Sequence, residues 1–446
     1  RTISWASMSE SRPPAHAAAR SRVVAWALWD CGSTGLSAIV VTFVFSIYLT
    51  RSVGEDLPAG TSPASLLGWA LFFSGATVAL LAPVTGVWVD AAHRRRRTLA
   101  VLTAMVVVLT AAMSLIRDDS RYLLAGLLLL GFTAACNDLA SVPYNAMLRQ
   151  LTTPETSGRV SGFGWAAGYV GSMVLIVVVY AGFITGDGPT VGLLDIPTAD
   201  GQNVRTAMLV TAAWMAAFAM PVLITPPPSA DIEPPARSSI GVLGAYRKLW
   251  ADLVAEWRRD RNVVYYLLAS AVFRDGLAGV FTFGAVLGVT VYGISPADVL
   301  LFGISANVVA ATGAVLGGLL DDRVGSKTVI LSSLAAMIAV GATMMALSGP
   351  AAFWVCGLLL CLFIGPTQSS ARTLLLRMTA SGKEGVAFGL YTMTGRAVAP
   401  LAPLMFSTFV AVIGADRAGI GGLLLVLAAG FIAMLAVRVP RRAAAI

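Results

Sequence analysis

Charge is scarce in this chain. Only 12% of its 446 residues are Asp, Glu, Lys or Arg, about half the share of a soluble domain. Histidine is nearly absent: His16 sits in the N-terminal tail and His93 in a loop, so neither is placed as a proton relay inside an apolar run. The four cysteines, Cys31, Cys136, Cys356 and Cys361, lie within apolar stretches at spacings that make neither a disulfide framework nor a zinc site. The loops hold no phosphate-cradling glycine loop, no metal-ligand cluster and no nucleophile–base pair. An ATP-driven pump or a membrane enzyme is therefore disfavoured, and no cofactor or metal is expected. A cleavable leader is not expected either, because the first apolar run follows a polar, arginine-bearing tail and exceeds the length of a signal core.

What the chain does have is long apolar runs, with 57% of residues hydrophobic. About twelve runs approach the ~20 residues that cross a bilayer. They fall near 24–50, 64–89, 98–116, 122–146, 159–184, 204–225, 263–290, 297–320, 326–347, 351–377, 385–412 and 419–437. The formal charge of +8 is spread between these runs rather than gathered in one patch, so it reads as a topology signal and not as a nucleic-acid surface. Alternate loops are rich in cations, among them Arg149, Arg159, Arg377 and Lys383. The others hold only Arg51, Arg117, Arg121, Arg205 and Arg417. By the positive-inside rule both termini are cytoplasmic, in a bacterial-type inner membrane.

The segment 86–97, GVWVDAAHRRRR, is a basic hinge between the second and third runs: Gly86, Asp90, then Arg94, Arg95, Arg96 and Arg97. A second version, GLLDDRVGSK, carries Gly318, Asp322, Arg323, Gly325 and Lys327. A further repeat lays 152–164 over 379–391 and matches Gly158 with Gly385 and Gly162 with Gly389. Two copies of each feature imply two related six-span bundles, at 24–225 and 263–437, with a solute site between them near the midplane. Residues 1–23 and 438–446 are tails. Residues 226–262 form a linker, Pro-rich at first, then periodic, with Tyr246, Leu249, Trp250, Leu253 and Trp257 on one face and basic neighbours. That pattern is an amphipathic helix on the membrane surface, tethering the halves.

Polar residues inside the runs are costly, at ~2.5 kcal/mol or more for a charge at the bilayer centre. Candidate substrate or coupling residues are Asp30, Asn137, Asp138, Arg274, Asp275, Asn307, Gln368, Tyr391 and Arg396. Candidate gate residues are Gly86, Asp90, Arg94, Arg95, Asp322, Arg323, Lys327 and Arg372. Asp30 or Asp138 could balance the arginines, and Arg372 or Arg396 could balance Asp275. Asp30, Asp138 and Asp275 are all positioned to carry a coupling proton, and nothing local chooses between them. Arg396, mid-run, suits a carboxylate or phosphate group. Gly158, Gly162, Gly164, Gly168 and Gly171 allow close helix approach, and Pro400 with Pro403 kinks the eleventh run.

These residues resemble the major facilitator superfamily. Its loop signature between spans 2 and 3, repeated between 8 and 9, is similar to the two hinges, with His93 where a glycine is usual. WALWDCGSTG at 26–35, PYNAMLRQLTTPETSGRVSGFGWAAGYVG at 143–171, FRDGLAG at 273–279 and FGLYTMTGRA at 388–397 resemble the vacuolar-effluxer-like branch, also called the unknown major facilitator family. That branch usually has an aromatic, Ala and Asn after the first Asp, where this chain has Cys31, Gly32 and Ser33. It also has Asn where this chain has Arg274. The fungal member is implicated in amino-acid release from the vacuole. The fifth run lacks the Gly-Pro signature of drug–proton antiporters.

The expectation is an all-α integral membrane protein of twelve helices in two pseudo-symmetric bundles, monomeric in the lipid bilayer. It is read as an alternating-access secondary transporter that exports a small polar or zwitterionic solute with proton coupling. Efflux of amphipathic drugs or lipids is the first alternative. A transporter-shaped sensor or scaffold acting through the central helix is the second.

Overall fold

The computed structural model describes residues 15–55, 57, 62–186, 188–225 and 261–439, with scattered positions between 244 and 258. Twelve helices are long and apolar enough to cross a membrane. In chain order they are α1 (Arg20–Val53), α2 (Pro63–Val89), α3 (Ala92–Leu115), α4 (Ser120–Leu151), α5 (Ser157–Ile184) and α6 (Ala199–Ile224), then α7 (Arg261–Thr290), α8 (Leu301–Val324), α9 (Ser326–Ala346), α10 (Pro350–Met378), α11 (Glu384–Ile413) and α12 (Ala418–Ala436). Only helices or closed barrels satisfy every backbone group in hydrocarbon, so the apolar composition dictates this class. The single sheet among the described residues is a short antiparallel hairpin, β1 (Thr190–Val191) with β2 (Ile196–Pro197), in the α5–α6 loop.

The two sets of six pack on each other through α2 against α11 and α5 against α8. The α2–α3 and α8–α9 turns share one end of the molecule, called here the hinge face. There α3 restarts only three residues after α2 ends. Gly325, at φ +89°, turns α8 into α9, a backbone conformation that favours glycine. The Pro-rich linker lies outside the described residues, and so does the expected amphipathic helix as an element. Of its few described positions, Tyr246 donates its hydroxyl to the Leu80 carbonyl.

Helix α11 is not continuous. It runs as Glu384–Val398 and Leu401–Ile413, because Pro400 and Pro403 remove amide donors at the junction. Helix α1 contains two wider, π-helical stretches, Ala38–Phe43 and Leu49–Val53. The first bundle's core includes Trp26 and Trp29, which stack on the Tyr144 ring at centroid distances of 4.5 and 4.4 Å. Both indoles are fully buried and both N–H groups are used: Trp26 donates to the Tyr144 carbonyl and Trp29 to the Thr103 hydroxyl, each at 3.0 Å. The cysteines are buried and free.

Candidate functional site

At the hinge face each bundle caps a helix of the other. Asp90, at the end of α2, accepts from the amide of Val386 in the first turn of α11 at 3.0 Å. Asp322, at the end of α8, accepts from the amides of Gly158 and Arg159 at the start of α5, at 2.8 and 3.1 Å. Those amides have no intrahelical acceptor, and a carboxylate also complements the positive end of the helix. The caps require close backbones. A Cβ on Gly158 would lie 2.6 Å from the Gly318 carbonyl oxygen and 2.7 Å from the Asp322 carboxylate. On Gly385 it would lie 2.9 Å from the Asp90 carboxylate. The paired glycines of the internal repeat thus occupy equivalent inter-bundle contacts.

Behind the caps is a buried charge lattice. Glu384 ion-pairs with Arg95 at 2.9 Å and Arg149 at 2.5 Å; Glu384 and Arg95 are buried, and Arg149 is partly buried. Arg95 also donates to the carbonyls of Val89 and Ala146 at 3.0 Å. Arg149 reaches across to the carbonyls of Leu376 and Thr379. Arg377 pairs with Asp321, reaches Asp322 at 3.4 Å and donates to the Pro154 carbonyl at 3.1 Å. Arg94 is partly exposed.

One layer deeper, Arg372 of α10 binds three helices of the other bundle. It donates to the Ser161 hydroxyl at 2.9 Å, the Ser161 carbonyl at 2.7 Å and the Asn145 side chain at 3.1 Å. It lies 3.9 Å from Asp30, and its guanidinium is 4.9 Å from the Trp26 ring centroid. A planar fork of donors is what this geometry requires, and an ammonium could not reproduce it. Asp30 also accepts from Thr34 at 3.5 Å. Asn137 stays within its own bundle, accepting from Ser33 at 2.9 Å and donating to Ser37 at 3.1 Å.

Above that layer Asp138 of α4 ion-pairs with Arg396 of α11. Their side chains are 24% and 42% exposed, unlike the buried Arg95–Glu384 pair. Among the described residues, every hydrogen bond or ion pair found between the bundles lies at this pair or on its hinge side. The bundles are therefore locked together at one end. Arg274 of α7 lies 3.6 Å from the centroid of the Tyr391 ring and donates to its carbonyl at 3.1 Å, with no carboxylate in ion-pair range among the described residues. Asp275 has a different task. Its carboxylate accepts from the amide of Ala402 at 2.6 Å, so it caps the second piece of α11 and meets neither Arg372 nor Arg396. Asn307 donates to its own helix at Gly303, and Gln368 is half-buried.

The structure joins Asp30 to Arg372 and Asp138 to Arg396, and leaves Arg274, Asn307 and Gln368 outside those pairs. Sequence reasoning did not single out Glu384, Asp321, Arg377 or Ser161 as site residues. Their sequence signal is weak: Glu384 opens α11 just after the polar stretch that follows α10, where a charge costs nothing and draws no notice. No group of His, Cys, Asp or Glu among the described residues could hold a metal.

Residues 64–445 match the family model described as vacuole effluxer Atg22 like. The chain is 22% identical over 407 residues to the uncharacterized MFS-type transporter YxiO of Bacillus subtilis (strain 168), covering 91% of this chain and 92% of that one. It is 24% identical over 283 residues to autophagy-related protein 22 of Yarrowia lipolytica, covering 57% of this chain and 46% of that one. Among solved structures, the proton:xylose symporter XylE superposes with a TM-score of 0.71 at 15% identity, covering 94% of this chain and 95% of that one.

Proposed function

The chain belongs to the vacuole effluxer Atg22-like family of the major facilitator superfamily, and from that membership we propose that it exports a small zwitterionic solute of the amino-acid type by proton-coupled alternating access. The observation that carries the solute class is the half-exposed Asp138–Arg396 pair. It joins opposite charges from the two bundles about midway along α11, within reach of solvent. A zwitterion presents the complementary pair: its carboxylate suits the planar Arg396 fork and its ammonium suits Asp138. Binding would exchange one ion pair for two and pull on both bundles at once. Arg274, whose guanidinium has no carboxylate partner among the described residues, adds a second cation toward the solute carboxyl group.

The same contacts support the proton-coupled reading. Asp30 and Asp138 each face an arginine of the other bundle. Protonation of either removes one side of an inter-bundle attraction, so the proton and the solute act on the same equilibrium. We place the hinge face in the cytoplasm of an inner membrane, on the strength of its cation excess, with both termini on that side. The described state is then closed to the inside.

The test is flux in proteoliposomes under an imposed pH gradient, with a mixed amino-acid pool and a lipophilic cation as solutes. Gradient-driven amino-acid movement that is lost in Asp138→Asn and Arg396→Gln supports the proposal. Movement of the lipophilic cation alone would reassign the protein to amphipathic efflux. No movement of either from vesicles holding folded protein would point to a sensor.

A further inference from the structure

A simple zwitterion would leave one positive charge over in this site. Its ammonium answers Asp138, but its single carboxylate meets two cations, Arg396 and Arg274. Arg274 of α7 is the one that no carboxylate balances among the described residues. Asp30 lies 3.9 Å from Arg372, and Asp138 pairs with Arg396. Asp275, the next residue in the chain, is no partner either, because adjacent helix positions point about 100° apart. The Asp275 carboxylate reaches the amide of Ala402. The Arg274 guanidinium meets α11 at Tyr391 and Gly395, before the break in that helix and roughly two turns from Ala402.

The Arg274 head group is held in place but only partly used. The centroid of the Tyr391 ring lies 3.6 Å from it, and the Tyr391 carbonyl accepts one hydrogen bond at 3.1 Å. Its remaining N–H groups meet no acceptor among the described residues. Beside it α11 presents bare backbone: a Cβ on Gly395 would lie 3.2 Å from both terminal nitrogens, so a larger side chain would press on the guanidinium. A ring face offsets only part of the cost of a cation inside an apolar span. Arg274 is partly exposed, which keeps its unused donors within reach of a solute. Gly395 directly precedes Arg396, so the two cations address one level of α11.

We propose that Arg274 sets the charge of the solute: the carried molecule is an acidic amino acid. Its second anionic group docks on Arg274, while its α-carboxylate takes Arg396 and its ammonium takes Asp138. This assignment rests on the zwitterion reading and narrows it. With such an occupant every charge in the set has a partner. A neutral amino acid of the same shape would leave the Arg274 donors unused, so molecules that differ by that one charge are separated at this residue.

The experiment uses the full chain in phosphatidylcholine nanodiscs at pH 7, where thermal stabilisation by added solute gives a half-saturating concentration. The probes are two near-isosteric pairs, aspartate with asparagine and glutamate with glutamine, at one ionic strength set with sodium chloride. In the wild type the acidic member of at least one pair should half-saturate at about tenfold lower concentration than its amide. The quantity read is this ratio within each variant, so a general loss of affinity cancels. Arg274→Gln should bring the ratio to about one, whereas Arg274→Lys, which keeps the charge, should keep the acid ahead. Gly395→Asp leaves Arg274 in place, sets a carboxylate against it, and should also abolish the preference. Amides that bind as well as both acids in the wild type would overturn the assignment and leave the zwitterion reading standing. A preference that survives in Arg274→Gln and Gly395→Asp would do the same, as would one lost equally in Arg274→Lys, the mark of a merely structural role. Absence of stabilisation by all four probes would overturn the zwitterion reading and the assignment with it.

Discussion

Removing the two in-trans caps should open the hinge face by a calculable amount. Asp322 takes two amides of α5 and Asp90 one amide of α11. A side-chain cap contributes ~1 kcal/mol, and a carboxylate at a helix N-terminus adds ~0.3–1 kcal/mol. The Arg159 side chain is 54% exposed, so its ion pair with Asp322 contributes little. Asp322→Ala should therefore weaken the closed state by about 2 kcal/mol, roughly a 30-fold fall in the closed-to-open ratio. Asp90→Ala should also lower the ratio, since Asp90 accepts from the Val386 amide of α11. The two sites belong to different helix pairs, so the double variant should show nearly the sum of the two free-energy changes. Spin labels at His93→Cys and Ser381→Cys, exposed positions on opposite bundles, read the ratio directly, with Asp200→Ala, in the first turn of α6 at the other end, as the control. If Asp322→Ala stays folded and leaves the distance distribution unchanged, the caps do not hold the bundles and the reasoning fails.

Gly158→Val and Gly385→Val should also depopulate the closed state, because the new side chains meet the opposing backbone; Gly75→Val, with open space around it, should not, and the same distance measurement decides. Arg372→Gln should lower stability by about 3 kcal/mol, because buried partners lose their cation, and Arg372→Lys should recover little of it; thermal unfolding of purified protein checks both. Asp275→Asn keeps an acceptor for the Ala402 amide and should preserve the pH profile of flux, whereas Asp275→Leu should cost about 1 kcal/mol in stability. Loss of gradient-driven flux in a folded Asp275→Asn would make that residue a coupling carboxylate instead.

The architecture was legible because hydrocarbon imposes severe local rules. Four adjacent arginines cannot enter a bilayer, so the hinges show in the sequence, and two hinges with one Gly repeat imply two bundles. Even the glycine match was spatially meaningful, since Gly158 and Gly385 occupy equivalent crossings. The site was legible only as a set of expensive residues. Which carboxylate meets which cation is a tertiary fact: Arg372 lies 342 positions from Asp30 in the chain, and nothing near either residue encodes the meeting.

Asp275 shows where local reasoning runs out. A carboxylate in the middle of an apolar run has two ways to be tolerated: it can exchange a proton, or it can meet a fixed donor. Periodicity and hydropathy do not separate these. The distinguishing signal lay in another helix, where Pro400 and Pro403 break α11 and leave the amide of Ala402 without an intrahelical acceptor. A free amide in hydrocarbon is costly and a lone ionised carboxylate costlier still, and the bond between them relieves both. The same pairing recurs at the hinge face, where Asp90 and Asp322 also meet helix starts. In this fold a carboxylate near a helix break is first a cap, and the carboxylates that instead face cations across the bundle boundary are Asp30 and Asp138, the two proposed above for solute and proton.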